Sequence, residues 1–254
     1  MDSIPKIIHY CWVGKKEKPQ EVIETIADWT RKLEGYKIIE WNEDNFDIGR
    51  TCNYVQEAYA AKKWAFVTDY MRLKVLYEYG GIYLDTDVSI VKSFDSLLEQ
   101  SLFMGSESKY SICTAVIGAQ VHSVLLRELL ELYEGRRFID KNGTMDQTPN
   151  SLYIYSFLNK RFGYMKSSLK KTEYDGCVIY PSEYFSPINY NTMRCNITDN
   201  TYAIHYYNGT WKGKKERTKG KVLAIITRII GEPRFFDKQF IPWCRNREGH
   251  LCNC

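Results

Sequence analysis

The chain has no apolar run approaching the roughly 18 residues that a membrane-spanning helix needs. Its start, Met1-Asp2-Ser3-Ile4-Pro5, carries no basic segment and no apolar stretch before Pro5, so it does not read as a signal peptide. Together these absences predict a protein made and kept in a cytosol, unless a fusion partner or a special secretion system carries it. There is also no internal repeat, no low-complexity tract and no convincing linker. The expectation is one main domain over residues 1–211. Residues 212–254 follow as a basic C-terminal helix and a cysteine-containing tail packed on the same domain.

What is present is ordinary in bulk. The 254 residues are 44% hydrophobic and 26% charged, enough to bury a substantial core. Aromatics reach 15%, with 20 tyrosines, which suits both sugar binding and plain packing. The eight cysteines are expected to be free thiols in a reducing compartment. Cys244, His250, Cys252 and Cys254 form an irregular set of possible zinc ligands at the end. The net charge of +4 is concentrated. Between Lys212 and Arg228 lie seven basic residues against Glu216, which leaves the rest of the chain near −2.

Periodicity gives alternating strands and helices. Strands are expected at 6–13, 36–41, 82–85, 102–105, 114–118, 177–180 and 202–206. Helices are expected at 19–33, 55–63, 65–79, 124–133 and 151–162. Val22, Ile26, Trp29 and Leu33 share one face of the first helix. The third helix ends at Gly80-Gly81, a favoured stop. Alternation of this kind predicts an α/β fold with a mainly parallel central sheet, whose ligands bind at the carboxyl ends of strands.

At such an end stands Gly80-Gly81-Ile82-Tyr83-Leu84-Asp85-Thr86-Asp87. Residues i and i+2 of a strand share a face, so Asp85 and Asp87 should converge. Two close carboxylates repel unless a cation or a proton sits between them. A hard divalent ion, Mn²⁺ or Mg²⁺, meets that need and bridges to phosphate. The preceding helix carries Asp69 and Arg72 at i,i+3. They form either a surface ion pair or a grip on sugar hydroxyls and a phosphate oxygen. Thr68 or Asp69 is the expected cap of that helix. Trp12 follows the first strand, either as a packing residue or as a platform for a nucleobase. His205 lies in an accessible polar stretch, where a neutral imidazole can complete an Asp-Asp metal site, and Trp211 can close over a nucleotide. Asp146, Gln147 and Asn150 precede a helix, as caps or as residues near an acceptor.

These blocks resemble the DXD-containing retaining glycosyltransferases. That group includes initiating mannosyltransferases, capsular-polysaccharide transferases and the glucosylating domains of large clostridial toxins. The resemblance runs through Ile4 to Trp12, Ala65 to Arg72, Leu76 to Asp87 and His205 to Trp211. It implies a GT-A fold, Rossmann-like, that binds a nucleotide sugar over residues 1–211. By the resemblance Trp12 stacks on the base, and Asp69 and Arg72 contact the donor sugar and phosphate. Tyr83 and Asp85 contact ribose or sugar, Asp85, Asp87 and His205 hold the metal, and Trp211 holds the leaving diphosphate. Asp85, Asp87 and Arg72 carry the catalysis.

The resemblance favours a UDP-sugar over a GDP-sugar, and a glycan or lipid-linked acceptor in surface polysaccharide synthesis. The alternatives are a toxin-like transferase acting on protein and an inactive carbohydrate-binding module. Residues 212–230 read as a cationic amphipathic stretch, suited to peripheral contact with an anionic membrane at its inner face. No nucleic-acid motif accompanies these charges. A haloacid-dehalogenase-like phosphatase also uses an Asp-x-Asp strand end, but it needs a later Gly-Asp pair, and this chain has no Gly-Asp dipeptide.

Overall fold

The computed structural model describes residues 3–108, 110–163 and 170–208. The expectations for Trp211, the basic stretch and the cysteine tail lie outside these residues. The described chain divides into two units: 3–188 with 196–208, and Asn189–Cys195. The second is a turn in which Asn189 Oδ1 accepts from the N–H groups of Asn191 and Thr192, at 3.0 and 2.8 Å.

In the main unit the order is β1 (Ile7–Cys11), α1 (Gln20–Lys32), β2 (Lys37–Trp41), α2 (Asn53–Ala60), α3 (Trp64–Tyr79), β3 (Gly81–Leu84) and β4 (Val88–Ile90). Then follow β5 (Leu102–Ser108), β6 (Ser111–Ala119), α4 (Val124–Glu131), α5 (Asn150–Phe162), β7 (Thr172–Tyr174), β8 (Cys177–Tyr180) and β9 (Ala203–His205). Seven strands make the central sheet in the order β2-β1-β3-β6-β5-β8-β7, and β4 pairs with β9 in a small second sheet. Strands β1, β2, β3, β5 and β8 run one way, while β6 and β7 run against them. The expected α/β architecture with a mainly parallel sheet is what the chain adopts. The short strands β4 and β7 were not anticipated, because three residues carry too little pattern to read.

Both faces of the sheet are covered, so its strands are apolar on both sides. On one face α2, α3, α4 and α5 pack Val55, Val67, Met71, Leu126 and Leu158 against Tyr83, Met104 and Ile117. On the other, Trp29 and Leu33 of α1, with Val88, Phe94 and Phe185, pack against Ile8, Ile82, Leu84 and Phe103. Each such side chain, fully buried, contributes about 1.5–3 kcal/mol. Trp29 also donates from Nε1 to the Val88 carbonyl at 2.7 Å, which ties α1 to the segment just after Asp87.

Two constraints fix where β3 enters the sheet. Gly80 and Gly81 both have positive φ, +63° and +99°. A Cβ on Gly81 would lie 2.6 Å from the Ile7 carbonyl oxygen, and one on Gly80 would lie 2.9 Å from Pro5 and from the Val121 backbone. Only glycine meets both demands at once. Beneath them His9 is fully buried. Its Nε2 donates to the Gly80 carbonyl at 2.7 Å and its Nδ1 accepts from Trp41 Nε1 at 3.0 Å. The neutral ring uses both nitrogens, and burial holds its pKa down at about 4.

β1 lies between β2 and β3, parallel to both, with His9 opposite Tyr83. The sheet is therefore extended in opposite directions from β1. Crevices at the carboxyl edge of such a switch point are where open α/β sheets bind ligands. Trp12, just past β1, and Asp85, just past β3, both emerge there.

The five cysteines among the described residues, Cys11, Cys52, Cys113, Cys177 and Cys195, are free thiols, as expected. Among those same residues no helix is long and apolar enough to cross a membrane.

Candidate functional site

β3 stops at Leu84, and the Val88 N–H closes a turn onto the Asp85 carbonyl at 3.1 Å. Strand alternation is thus not what joins Asp85 and Asp87; a turn does it. Alternation still governs Tyr83, whose ring faces α3 and whose hydroxyl donates to Asp85 Oδ1 at 2.9 Å.

Asp87 is organised by a distant segment. β4 and β9 are antiparallel, with Val88 opposite His205. His205 Nε2 lies 3.4 Å from Asp87 Oδ1, and the Asn208 N–H donates to Asp87 Oδ2 at 2.8 Å. Burial acts to raise the Asp87 pKa, but the hydrogen bond and charge of His205 and the Asn208 N–H hold it below the usual carboxylate range. Burial acts to lower His205, and Asp87 reverses this and holds it above the usual imidazole value. His205 was expected in an accessible loop. It is instead the last residue of β9, with 13% of its side chain exposed.

One ligand atom from each of Asp85, Asp87 and His205 lies within 4.8 Å of the others. Two carboxylate oxygens and one imidazole nitrogen form a donor set that suits Mn²⁺ or Mg²⁺. His205 Nδ1 is buried without a hydrogen-bond partner. The ring nitrogen that faces Asp87 is Nε2, so a carboxylate and an imidazole nitrogen meet where a cation could be held.

Arg72 is the hub behind this centre. It is 5% exposed. Its Nη1 donates to the Thr114 carbonyl at 2.6 Å and lies 3.3 Å from both Asp85 oxygens. Its Nη2 lies 3.1 Å from Asp69 Oδ1, and its guanidinium sits 4.6 Å from the centre of the Tyr83 ring. The Asp69–Arg72 pair exists, but it is buried rather than on the surface. Burial lowers an arginine pKa, yet Asp85 and then Tyr83 and Asp69 hold Arg72 above its ordinary value. Burial outweighs Arg72 at Asp69 and pushes that carboxyl up to about 6.

α3 begins at Trp64, so Thr68 and Asp69 lie within the helix and do not cap it. The helix extends further toward its N-terminus because Trp64 packs on Tyr59, with ring centres 5.2 Å apart. Trp12 is half-buried, and its Nε1 donates to the Lys16 carbonyl at 2.6 Å. Asn150 starts α5, fully inside. Its N–H donates to Asp69 Oδ2 at 3.2 Å, its side-chain amide donates to the Asp69 carbonyl at 3.3 Å, and its Oδ1 accepts from Thr114 at 2.9 Å. The N-cap of α5 is Pro149, so Asp146 does not cap it; Gln147 is exposed.

Sequence reasoning missed Glu107, Thr114 and Arg136. Glu107 bonds Ser111 and Tyr207 near His205, and burial raises its pKa although His205 opposes this. The expected end of β5 at Gly105 left Glu107 outside any element. Thr114 contributes chiefly a backbone oxygen, which leaves no signal in residue type.

Residues 19–104 match the family model described as glycosyltransferase sugar-binding region containing DXD motif. Inositol phosphoceramide mannosyltransferase 1 of Schizosaccharomyces pombe is 30% identical over 112 residues, which is 41% of this chain and 34% of that protein. An uncharacterized glycosyltransferase of Acanthamoeba polyphaga mimivirus is 24% identical over 215 residues, 82% of this chain and 84% of its own. Among solved structures, the PaToxG glycosyltransferase aligns over 63% of this chain and 70% of that one, at 18% identity and a TM-score of 0.49. The chain spans about a third of the length of the fission-yeast mannosyltransferases it matches, 34% and 37%. Residues 19–104 thus resemble a glycosyltransferase sugar-binding region, and Asp85-Thr86-Asp87 is the Asp-x-Asp sequence inside the matched stretch.

Proposed function

We propose that this protein is a metal-dependent glycosyltransferase of the GT-A type that moves a sugar from a nucleotide-sugar donor, a UDP-sugar in preference to a GDP-sugar, to a glycan or lipid-linked acceptor. The observation that carries this reading is the convergence of Asp85 and Asp87, which lie within the matched residues 19–104, with His205 at the carboxyl edge of the sheet. Asp85, Asp87 and His205 would hold Mn²⁺ or Mg²⁺, which when bound supplies Lewis-acid neutralisation of the leaving diphosphate. Asp69, Arg72 and Tyr83 would set the donor sugar against that centre, with Trp12 against the base and Trp211 near the diphosphate.

Arg72 acts mainly through others. Its guanidinium fixes the Asp85 carboxylate and opposes the effect of burial on Asp69, so the catalytic contribution assigned to it is one of preorganised charge. Among the described residues no side chain near Asp85 stands out as a nucleophile for double displacement. The reading is therefore retention by attack from the leaving-group side. The acceptor oxygen bonds to the anomeric carbon, the bond from that carbon to the phosphate oxygen breaks, and the acceptor proton goes to that oxygen.

A lipid-linked acceptor is supported by the fission-yeast relative, which is named for transfer of mannose to inositol phosphoceramide. It is supported also by the basic stretch 212–230, which suits an anionic membrane surface, and the role proposed is surface polysaccharide synthesis at the cytoplasmic face.

The test is nucleotide release from a panel of UDP- and GDP-sugars with Mn²⁺, Mg²⁺ or EDTA, in wild type and Asp87→Ala. Metal-dependent release of one nucleotide, lost in the variant, is the expected result. Absence of both binding and turnover across the panel overturns the active-transferase reading.

A further inference from the structure

Outside the metal centre lies a second buried charge cluster. Arg136, in the segment after α4, places its guanidinium among three tyrosine rings: 3.7 Å from the centre of Tyr153, 4.3 Å from Tyr54 and 4.8 Å from Tyr133. Its Nη2 pairs with Asp146 Oδ2 at 2.8 Å. Its Nε and Nη1 are buried and have no hydrogen-bond partner, so the ring faces are what they meet. Asp146 is bound on every side. The Tyr153 hydroxyl donates to Oδ2 at 3.2 Å, the Thr148 N–H donates to Oδ1 at 3.2 Å, and the Asp146 N–H donates to the Phe138 carbonyl at 2.7 Å. The Tyr54 hydroxyl donates to the Asp146 carbonyl at 3.2 Å.

A carboxylate so fully used is not free to meet a ligand. What it does is fix the chain four residues before Asn150. Asn150 in turn holds both the carboxylate and the carbonyl of Asp69, and Thr114, whose carbonyl receives Arg72. A continuous path of contacts runs from Arg136 through Asp146 and the start of α5 to Asp69, Arg72 and Asp85.

We propose that Arg136 is a positioning residue for the donor sugar: it clamps Asp146 in the tyrosine cage and so sets Asn150, Asp69 and Arg72 in the geometry that receives the sugar. This rests on the nucleotide-sugar reading above. Arginine is required because a planar guanidinium can stack on tyrosine faces while pairing with a carboxylate, and an ammonium cannot do both as well.

The experiment compares binding of Mn²⁺–UDP and Mn²⁺–GDP with binding of UDP-glucose, UDP-galactose and GDP-mannose in the presence of Mn²⁺. The proteins are wild type, Arg136→Lys, Arg136→Met and Tyr153→Phe, each with its thermal midpoint. The expected result is a split. Affinity for the sugar nucleotide that wild type binds falls about tenfold in Arg136→Met and less in Arg136→Lys, while affinity for the matching nucleoside diphosphate stays within about twofold. Tyr153→Phe removes one bond to Asp146, keeps the ring, and loses about threefold toward the sugar nucleotide alone; it decides the matter if the Arg136 variants do not fold. Equal losses for both ligands, or losses that track only the thermal midpoint, overturn the positioning role and leave the donor reading standing. Failure of wild type to bind any nucleotide overturns the donor reading and this proposal with it.

Discussion

The two carboxylates of the DXD motif are two residues apart and have opposite surroundings. Asp85 belongs to a closed region. Both its oxygens face Arg72, the Tyr83 hydroxyl donates to it, and the supporting groups come from α3, β3 and the neighbouring β6. Asp87 belongs to a region assembled late in the chain, from His205 and Asn208, more than a hundred residues away. There a buried imidazole nitrogen is left without a partner. In the first region both carboxylate oxygens are engaged by Arg72 and one also by Tyr83, whereas in the second the carboxylate meets a histidine and a backbone N–H. The difference teaches how the site divides its labour under the proposed function: Asp85 is held by its own helix and strand, and Asp87 with His205 would do the metal binding.

The largest effect that would break this comparison is loss of Arg72. Arg72→Met leaves Asp69 and Asp85 facing each other's charge in a buried setting with no cation. Removing one partner of a buried charged cluster costs about 3–5 kcal/mol. Urea unfolding is expected to show a loss of that size. A loss below about 1 kcal/mol would mean that water reaches the cluster and the Asp85 region is not closed.

Acid should attack the closed region through its foundation at His9. The folded pKa is about 4, against 6.5 for an unperturbed histidine. Between those values His9 binds its proton more readily in the unfolded chain than in the native one, so its contribution to stability rises with pH across this window and is lost as pH drops from 6.5 toward 4. Integrated over the window the loss is about 3 kcal/mol. His9→Gln is expected to be less stable at neutral pH and to lose this pH dependence. A His9→Gln variant whose unfolding free energy keeps the wild-type pH dependence between pH 4 and 6.5 would contradict a neutral, doubly bonded His9. Asp69 acts in the opposite sense over nearly the same range. Its raised pKa of about 6 makes the native state the stronger proton binder there, so Asp69→Asn should steepen the acid loss.

Tyr83→Phe is a smaller and cleaner probe of the same region. It removes one hydroxyl donor to Asp85 and keeps the ring under Arg72. The expected cost is about 1 kcal/mol or somewhat more, since the acceptor is charged. Donor affinity should fall with it if Asp85 orientation matters to binding; an unchanged affinity would assign the hydroxyl to stability alone.

The same division decides what could be read from the sequence. The closed region is nearly contiguous: Asp69, Arg72, Gly80-Gly81, Tyr83 and Asp85 lie on one helix, one turn and one strand, so local spacing exposes them. The diglycine is legible because two positive φ values and two blocked Cβ positions leave no other residue type. What local spacing could not reveal is burial. Asp69 and Arg72 at i,i+3 look the same on a wet face as under a sheet, and only the arrival of β6 and α5 takes them out of water. The turn at 85–87 was hidden for a related reason: an apolar run that ends in Asp-Thr-Asp does not say where pairing stops. Glu107 and Arg136 act through tertiary neighbours alone, Tyr207 and Ser111 for one and three tyrosines for the other, and no period marks either.

His205→Ala is the smallest expected change in stability and the sharpest test of the contrast. The imidazole makes one ion-pair contact, to Asp87 at 3.4 Å, it packs on the Tyr207 ring, and its Nδ1 is buried without a hydrogen-bond partner, which offsets part of what the contacts contribute. Its removal also leaves Asp87 the Asn208 N–H as a donor. Stability in the absence of metal should therefore change by about 1 kcal/mol or less. Mn²⁺ affinity, read by titration calorimetry or by the metal-induced rise in thermal midpoint, should fall at least about tenfold, equivalent to about 1.4 kcal/mol. The reverse outcome, a large loss of stability with Mn²⁺ affinity kept, would make His205 a structural residue like His9. The metal centre would then reduce to Asp85 and Asp87, and the contrast between the two carboxylates would disappear.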